Sequence, residues 1–217
     1  MRLVLIRHAE SVANVERRWQ GRADYPLTEQ GQAQAGQLAR ALAERHAGGI
    51  DALYASPLSR AAQTAAALSS AIALPVRSWE ALQEFDVGVF SGLTHADIEQ
   101  RHPELARDFA GSRDWDRVPG AESLQDRAER ARSVLDQLLG GHPGGASVVC
   151  VTHGGFMQYL LAAVLGTGRV WGLAIHNTAV FEFSIRSAGH TAGDRLLERF
   201  STEPCRIHRF NDISHLG

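Results

Sequence analysis

The sequence predicts an α/β fold, three layers deep, with a mostly parallel central sheet, helices on both faces and an antiparallel edge strand. Three observations predict it. Short apolar runs alternate with segments of helical period, which is the pattern of strands joined through crossover helices. The strand-like runs are continuously apolar instead of alternating, as in strands covered on both faces. The chain has 217 residues of which 44% are hydrophobic, enough for one sizeable core. No linker, low-complexity tract or internal repeat divides it, so residues 1–217 read as a single domain.

In order, Leu3 to Ile6 is an apolar run ended by charge and reads as a buried strand. Thr28 precedes a helical stripe of Ala35, Leu38, Ala39 and Leu42, which Gly48 and Gly49 stop. The unit repeats with a strand over Asp51 to Ala55, Pro57 at a first helical turn and an Ala-rich helix to about Ile72. Pro75 to Trp79 reads as a further strand. From Glu80 to Gly120 the pattern weakens into short helical pieces near Thr94 to Arg101 and Pro103 to Phe109. This stretch, centred on residues 85–120, reads as an insertion that covers something. A stripe of Leu124, Ala128, Ala131, Leu135 and Leu138 then predicts a helix closed by Gly140 and Gly141. Ala146 to Val151 is a strand and Gly155 to about Leu165 a helix. Ala179 to Ile185 and Arg195 to Phe200 read as closing strands joined through Gly189 and Gly193. The tail from Cys205 to Gly217 carries no clear pattern.

Charge narrows the partners. Lys and Arg total 22 against 24 Asp and Glu, a formal −2, so no basic excess points to nucleic acid. No apolar stretch is long enough to span a bilayer, and the N-terminal run lacks the form of a signal peptide. Of the two cysteines, Cys150 lies in an apolar run where a buried free thiol is expected, a usage that suits a reducing cytoplasm. Oligomeric state is left open, with a homodimer as one arrangement.

In a wound α/β sheet ligands bind beyond the carboxyl ends of the strands. There the sequence places Arg7-His8-Ala9-Glu10, Ser56-Pro57-Leu58-Ser59-Arg60 and Thr152-His153-Gly154-Gly155. Two histidines and two arginines thus meet at one rim, and Glu84, in the loop beyond Trp79, can reach it. Arginine offers a rigid fork of donors matched to phosphate oxygens, and glycines beside His153 let an anion approach backbone amides. A neutral histidine in such a pocket can act as nucleophile, a second can donate to developing charge, and a carboxyl group can serve as general acid and base. The other histidines show no His-Glu-x-x-His or similar ligand spacing, so no zinc site is expected.

The run Arg7 to Asn14, continued by Arg17-Arg18-Trp19-Gln20-Gly21 and Pro26-Leu27-Thr28, resembles the signature of the histidine phosphatase superfamily, which includes the cofactor-dependent phosphoglycerate mutases. Ser56 to Ala61 with Gln63-Thr64-Ala65 is similar to the family's second arginine block. Leu82 to Asp86 with Gly88 and Gly92 is similar to its acid loop, Thr152 to Gly155 to its second histidine block, and Asn177-Thr178 also matches. These blocks stand in family order from residue 7 to 178. The resemblance implies that His8 is the phosphorylated nucleophile, Glu84 the proton donor, and Arg7, Arg60 and His153 the phosphate clamp. It further implies that Asn14, Gln20 and Gly21 line the pocket, that Gly154 borders the anion, and that no metal or other cofactor is needed. Ala9 stands where the family usually has glycine, and its methyl is expected to narrow the approach beside His8. Ala13 replaces an aromatic residue found in many members.

Hydrolysis and phosphoryl transfer within a mutase share the phosphohistidine step. A mutase needs a longer, more basic cover that excludes water, whereas this insertion is short and Phe85-Asp86 follow Glu84 where mutases carry a basic residue and a tyrosine. The stretch Asn14 to Gly21 is closest to the broad-specificity phosphatase branch, and Trp19 and Phe109 are placed to shelter an apolar part of a substrate. The expected activity is metal-independent hydrolysis of small phosphate monoesters. The alternatives are a cofactor-dependent phosphoglycerate mutase and a phosphate-binding module without turnover, although a binding module has no need of nucleophile, acid and clamp together.

Overall fold

A computed structural model describes residues 1–170, 172–185 and 205–217. Six strands form one sheet: β1 (Arg2–Arg7), β2 (Ala52–Ala55), β3 (Val76–Ser78), β4 (Ser147–Thr152), β5 (Val180–Ile185) and β6 (Cys205–Asp212), in the order β3-β2-β4-β1-β5-β6. The first four run parallel, and β5 and β6 extend the sheet antiparallel beyond β1. The helices are α1 (Val12–Val15), α2 (Glu29–Arg45), α3 (Ser59–Ile72), α4 (His95–Arg101), α5 (Pro103–Ser112), α6 (Leu124–Gly141) and α7 (Gly154–Val164).

Alternate side chains of the apolar strands enter opposite layers, which is why these runs carry no polar face. Val4, Ile6, Val149 and Val151 pack with Leu38, Leu42, Ala61, Ala65 and Leu68 of α2 and α3. Leu3, Leu5, Val148 and Cys150 face Ala131, Val134 and Leu138 of α6 with Phe156, Met157 and Leu160 of α7. Burial in this layer raises the Cys150 thiol pKa, leaving an inert thiol. Among the described residues no helix is long and apolar enough to cross a membrane.

The long helices and buried strands lie within a few residues of where the sequence places them, with local corrections. Thr28 caps α2 through its side chain to the Gly31 N–H at 2.9 Å, but α2 ends at Arg45, before the glycine pair. Pro57 lies outside α3, which begins at Ser59 after an extended Leu58. Gly140 and Gly141 are the last residues of α6 instead of its stop. The patternless tail is strand β6, and the expected strand over residues 195–200, with its joining glycines, lies outside the described residues.

Two adjacent parallel strands position the site. From β1 the chain leaves toward β2 on one side, and from β4 it leaves through α7 toward β5 on the other. Their carboxyl ends therefore diverge into a crevice, the place where wound sheets bind ligands. The His8 N–H bonds the Thr152 carbonyl at 2.9 Å, so the two histidine-bearing turns are tied together at that point.

Candidate active site

The crevice opens into a cavity of about 680 Å³. Arg7, His8 and Arg60 line its floor, Glu84 and Gly155 one side, and Trp19, Phe85, Phe109, Trp115 and Tyr159 an aromatic wall.

His8 follows β1 and is 3% exposed. Its Nδ1 lies 2.7 Å from the Ala9 carbonyl, which can only accept, so Nδ1 carries the proton and Nε2 keeps its lone pair. Burial lowers the His8 pKa well below the usual imidazole range, and the charges of Arg7 and Arg60 push it the same way against the Ala9 hydrogen bond. A neutral imidazole with one free nitrogen is the form a nucleophile needs.

The arginines are held just as tightly. Arg7 Nη1 donates to the Ile175 carbonyl, while its buried Nε–H has no partner among the described residues, which suits an anion's oxygen. Arg60, 1% exposed, donates from Nη2 to the Gly21 carbonyl at 2.8 Å, from Nη1 to the Ala23 carbonyl at 2.9 Å and from Nε to His153 Nδ1 at 3.1 Å. Burial lowers its pKa to about 10, still far above neutrality, so it stays charged. Thr64 adds a brace, accepting from the Ala9 N–H at 3.0 Å and donating to the Arg60 carbonyl at 2.7 Å.

His153 departs from the expected clamp. Its ring centroid is 5.1 Å from that of His8, so the two histidine blocks do meet. Yet His153 is fully buried and outside the cavity lining, and both nitrogens are used internally. Nδ1 accepts from Arg60, so Nε2 carries the hydrogen and donates to Ser56 Oγ at 2.8 Å. Burial, then Arg60, lowers its pKa well below the ordinary value, keeping it neutral. In this arrangement it orients Arg60.

Glu84 reaches across from the loop after β3. Its carboxyl oxygens accept the N–H of Gly155 at 2.9 Å and of Phe156 at 2.7 Å, at the amino end of α7, which fixes the group at the cavity edge. A methyl at position 155 would stand 2.4 Å from Phe85 Cε1 and 2.7 Å from Glu84 Oε1, so glycine is required there. Arg130 grips the carbonyls on the near side of Glu84, donating to Ala81 at 2.8 Å and Gln83 at 2.9 Å, and Arg127 lies 3.9 Å over the Phe85 ring.

Of the expected lining residues, Gln20, Gly21 and Gly154 face the cavity. Gly21 has φ +50° and a Cβ there would meet Val87 at 2.6 Å. Asn14 is not in the wall. It completes a capping box with Ser11 at the start of α1, and its Oδ1 accepts from Asn177 Nδ2 at 3.2 Å. Ala9 also departs from expectation: it is fully buried, packed with Leu27 and Ala35 away from the cavity, so its methyl leaves the approach to His8 unchanged. Ala13 is likewise buried in α1. Trp19 and Phe109, expected to shelter part of a substrate, line the cavity, and Phe85, Trp115 and Tyr159 extend the aromatic wall they form. The only sequence signal for these last residues is aromatic type within a punctuated segment, and that does not place a ring.

A family model described as the histidine phosphatase superfamily (branch 1) matches residues 3–194. A bifunctional protein of Mycobacterium tuberculosis is 38% identical over 167 residues, covering 77% of this chain and 45% of that protein, so the chain spans less than half of that relative's length. Phosphoserine phosphatase 1 of Hydrogenobacter thermophilus is 32% identical over 181 residues, 82% of this chain and 84% of its own. The solved structure of a mycobacterial glucosyl-3-phosphoglycerate phosphatase complexed with VO3 is similar with a TM-score of 0.77 at 32% identity, covering 97% of this chain and 98% of that one.

Proposed function

Because the chain belongs to branch 1 of the histidine phosphatase superfamily, we propose that it hydrolyses small phosphate monoesters through a phosphohistidine formed on His8, without a metal ion. The observation that carries this reading is the state of His8: a buried, neutral imidazole whose Nδ1–H is fixed on the Ala9 carbonyl, leaving Nε2 free between two arginines.

The steps follow from the geometry. The phosphoryl dianion settles between Arg7 and Arg60, which supply the positive charge that metal ions supply elsewhere. Arg60 has spent three of its five N–H donors inside the protein, so two remain for the anion. His8 Nε2 attacks phosphorus, the ester P–O bond breaks, and the leaving oxygen takes a proton from the Glu84 carboxyl group. The resulting Glu84 carboxylate removes a proton from water as the water oxygen attacks phosphorus and the N–P bond breaks. Inorganic phosphate is released and Glu84 is reprotonated, ready for the next turnover. His153 acts through Arg60 in this scheme, and Asn14 acts through the His8 turn.

The apolar wall supports hydrolysis over mutase transfer. Phe85, immediately after the acid where the mutases carry a basic residue, packs edge-to-face on Trp115 at 5.2 Å, so an aromatic ring stands at the position from which a charge would retain a phosphorylated intermediate. The full chain with p-nitrophenyl phosphate in excess chelator tests the reading. Release of phosphate is expected, and a rate equal to buffer alone would refute it.

A further inference from the structure

Residues 173–178 have no regular structure, yet they hold both phosphate-facing residues of β1 and its turn. Leu173, Ala174 and Ile175 line the cavity, and the Ile175 carbonyl receives Arg7 Nη1. The His8 carbonyl accepts from Asn177 Nδ2 at 3.1 Å and from the Thr178 N–H at 3.3 Å. A segment that fixes a nucleophile must itself be fixed, and here the support comes from the end of the chain. Asn211, in β6, clasps it from behind, with Nδ2 donating to the Ala174 carbonyl at 2.9 Å and Oδ1 accepting the His176 N–H at 3.2 Å. Four residues on, in the 3₁₀ turn Ser214–Leu216, His215 Nε2 lies 2.9 Å from Thr178 Oγ1. Thr178 donates its hydroxyl hydrogen to the Asn177 carbonyl at 2.6 Å, so its oxygen receives the N–H of His215.

The backbone gives independent support. Thr178 is fully buried with φ +59°, a left-handed conformation that a β-branched residue adopts only where its surroundings over-determine it. The partners that hold it there are His215 on one side and the His8 turn on the other.

We infer that Asn211 and His215 are positioning residues for the phosphate site, acting through residues 174–178 on the Arg7 guanidinium and the His8 main chain. The inference rests on the phosphatase reading, and neither residue touches the substrate. A nucleophile displaced by a fraction of an ångström loses rate more than affinity.

The test compares the full chain with His215→Ala, His215→Gln and Asn211→Gly on p-nitrophenyl phosphate in chelator, with thermal unfolding confirming that each is folded at the assay temperature. Glutamine carries an N–H donor near the position of imidazole Nε2, and glycine keeps the positive φ of Asn211 while removing both its bonds. Expected are a kcat about tenfold lower in His215→Ala and Asn211→Gly, a KM within about threefold of the parent, and recovery of most of the rate in His215→Gln. If Asn211→Gly does not fold, Asn211→Asp, which loses only the donor to Ala174, should lower kcat about threefold. Parental kcat in the folded Ala and Gly (or Asp) variants, or a loss in His215→Ala that Gln does not restore, would overturn the inference while leaving the phosphatase reading intact. An inactive parental chain would overturn both.

Discussion

The floor and the wall of the cavity are built by different physics. On the floor and directly behind it, His8, Arg60 and His153 are at most 3% exposed, and each is held by directional bonds at 2.7–3.1 Å to main chain or to one another at the ends of parallel strands. Most of the wall, Phe85, Phe109 and Trp115, comes from short helices and turns between β3 and α6, with Trp19 from the loop after α1 and Tyr159 from α7, and its rings meet edge-to-face: Trp115 stands 4.7 Å from Phe109, 5.1 Å from Trp19 and 5.2 Å from Phe85. Each such pair contributes about 0.5–1.5 kcal/mol beyond its burial and tolerates exchange of one large apolar group for another. The difference teaches where chemistry and selectivity reside. A tetrahedral oxyanion needs fixed donors whatever alcohol it is esterified to, while the wall is free to change with that alcohol. Relatives of this chain are accordingly named for different esters, phosphoserine and glucosyl-3-phosphoglycerate.

The largest effect should come from breaking the floor. His8→Ala is expected to lower kcat by about four orders of magnitude. Orthovanadate should still bind, because Arg7 and Arg60 keep their bonds to the Ile175, Gly21 and Ala23 carbonyls. Titration of the variant with orthovanadate and single-turnover kinetics check both halves, and a variant with parental rate would remove His8 from the mechanism. Glu84→Gln should cost about 10²–10³ in kcat with an alkyl phosphate and distinctly less with p-nitrophenyl phosphate, whose leaving oxygen needs little protonation. Equal losses on both esters would deny Glu84 the role of acid.

Changing the wall should move selectivity and leave chemistry alone. Trp115→Leu is expected to shift the ratio of kcat/KM between an aryl and a small alkyl phosphate by about tenfold, with inhibition by inorganic phosphate within about twofold of the parent. A uniform loss on both esters would show that floor and wall are not separable.

The smallest expected effect is on stability against pH. Burial and the neighbouring arginines hold His8 and His153 neutral below the pH at which an unfolded histidine, with a pKa of about 6.5, takes up its proton. Below that pH the unfolded chain binds more protons than the native one, so stability is full above about 6.5 and falls as the pH drops toward the lowered native values. Each group contributes a slope of at most about 1.4 kcal/mol per pH unit. Urea unfolding at pH 7.5 and 5.5 should therefore show an acid loss that His8→Asn reduces, and an unchanged loss would contradict the assignment of a neutral His8.

How much of the molecule can be read from its sequence follows the same division. The buried strands carry period and apolar content that no loop shares, so their carboxyl ends, and with them Arg7, His8, Arg60 and His153, are placed by residue pattern alone. Glu84 is legible only through its position in an acid-loop block, because nothing local distinguishes it from Glu80 or Asp86. What cannot be read depends on which way a side chain turns. Ala9 packs into the cluster under α2 instead of beside the His8 ring, Asn14 satisfies a helix cap, and His153 spends both nitrogens on Arg60 and Ser56. Strand β6 escapes the pattern because its central residues are largely exposed and mixed in polarity, so only pairing with β5 makes it a strand.

The most direct measurement of the central claim is acid quench of the enzyme during turnover, followed by mass spectrometry under conditions that preserve phosphoramidates. One phosphoryl group on the imidazole of His8, absent from His8→Ala and accumulating in Glu84→Gln with p-nitrophenyl phosphate, is the predicted result. A turning-over enzyme that never carries phosphate on that residue, or carries it elsewhere, would contradict the account.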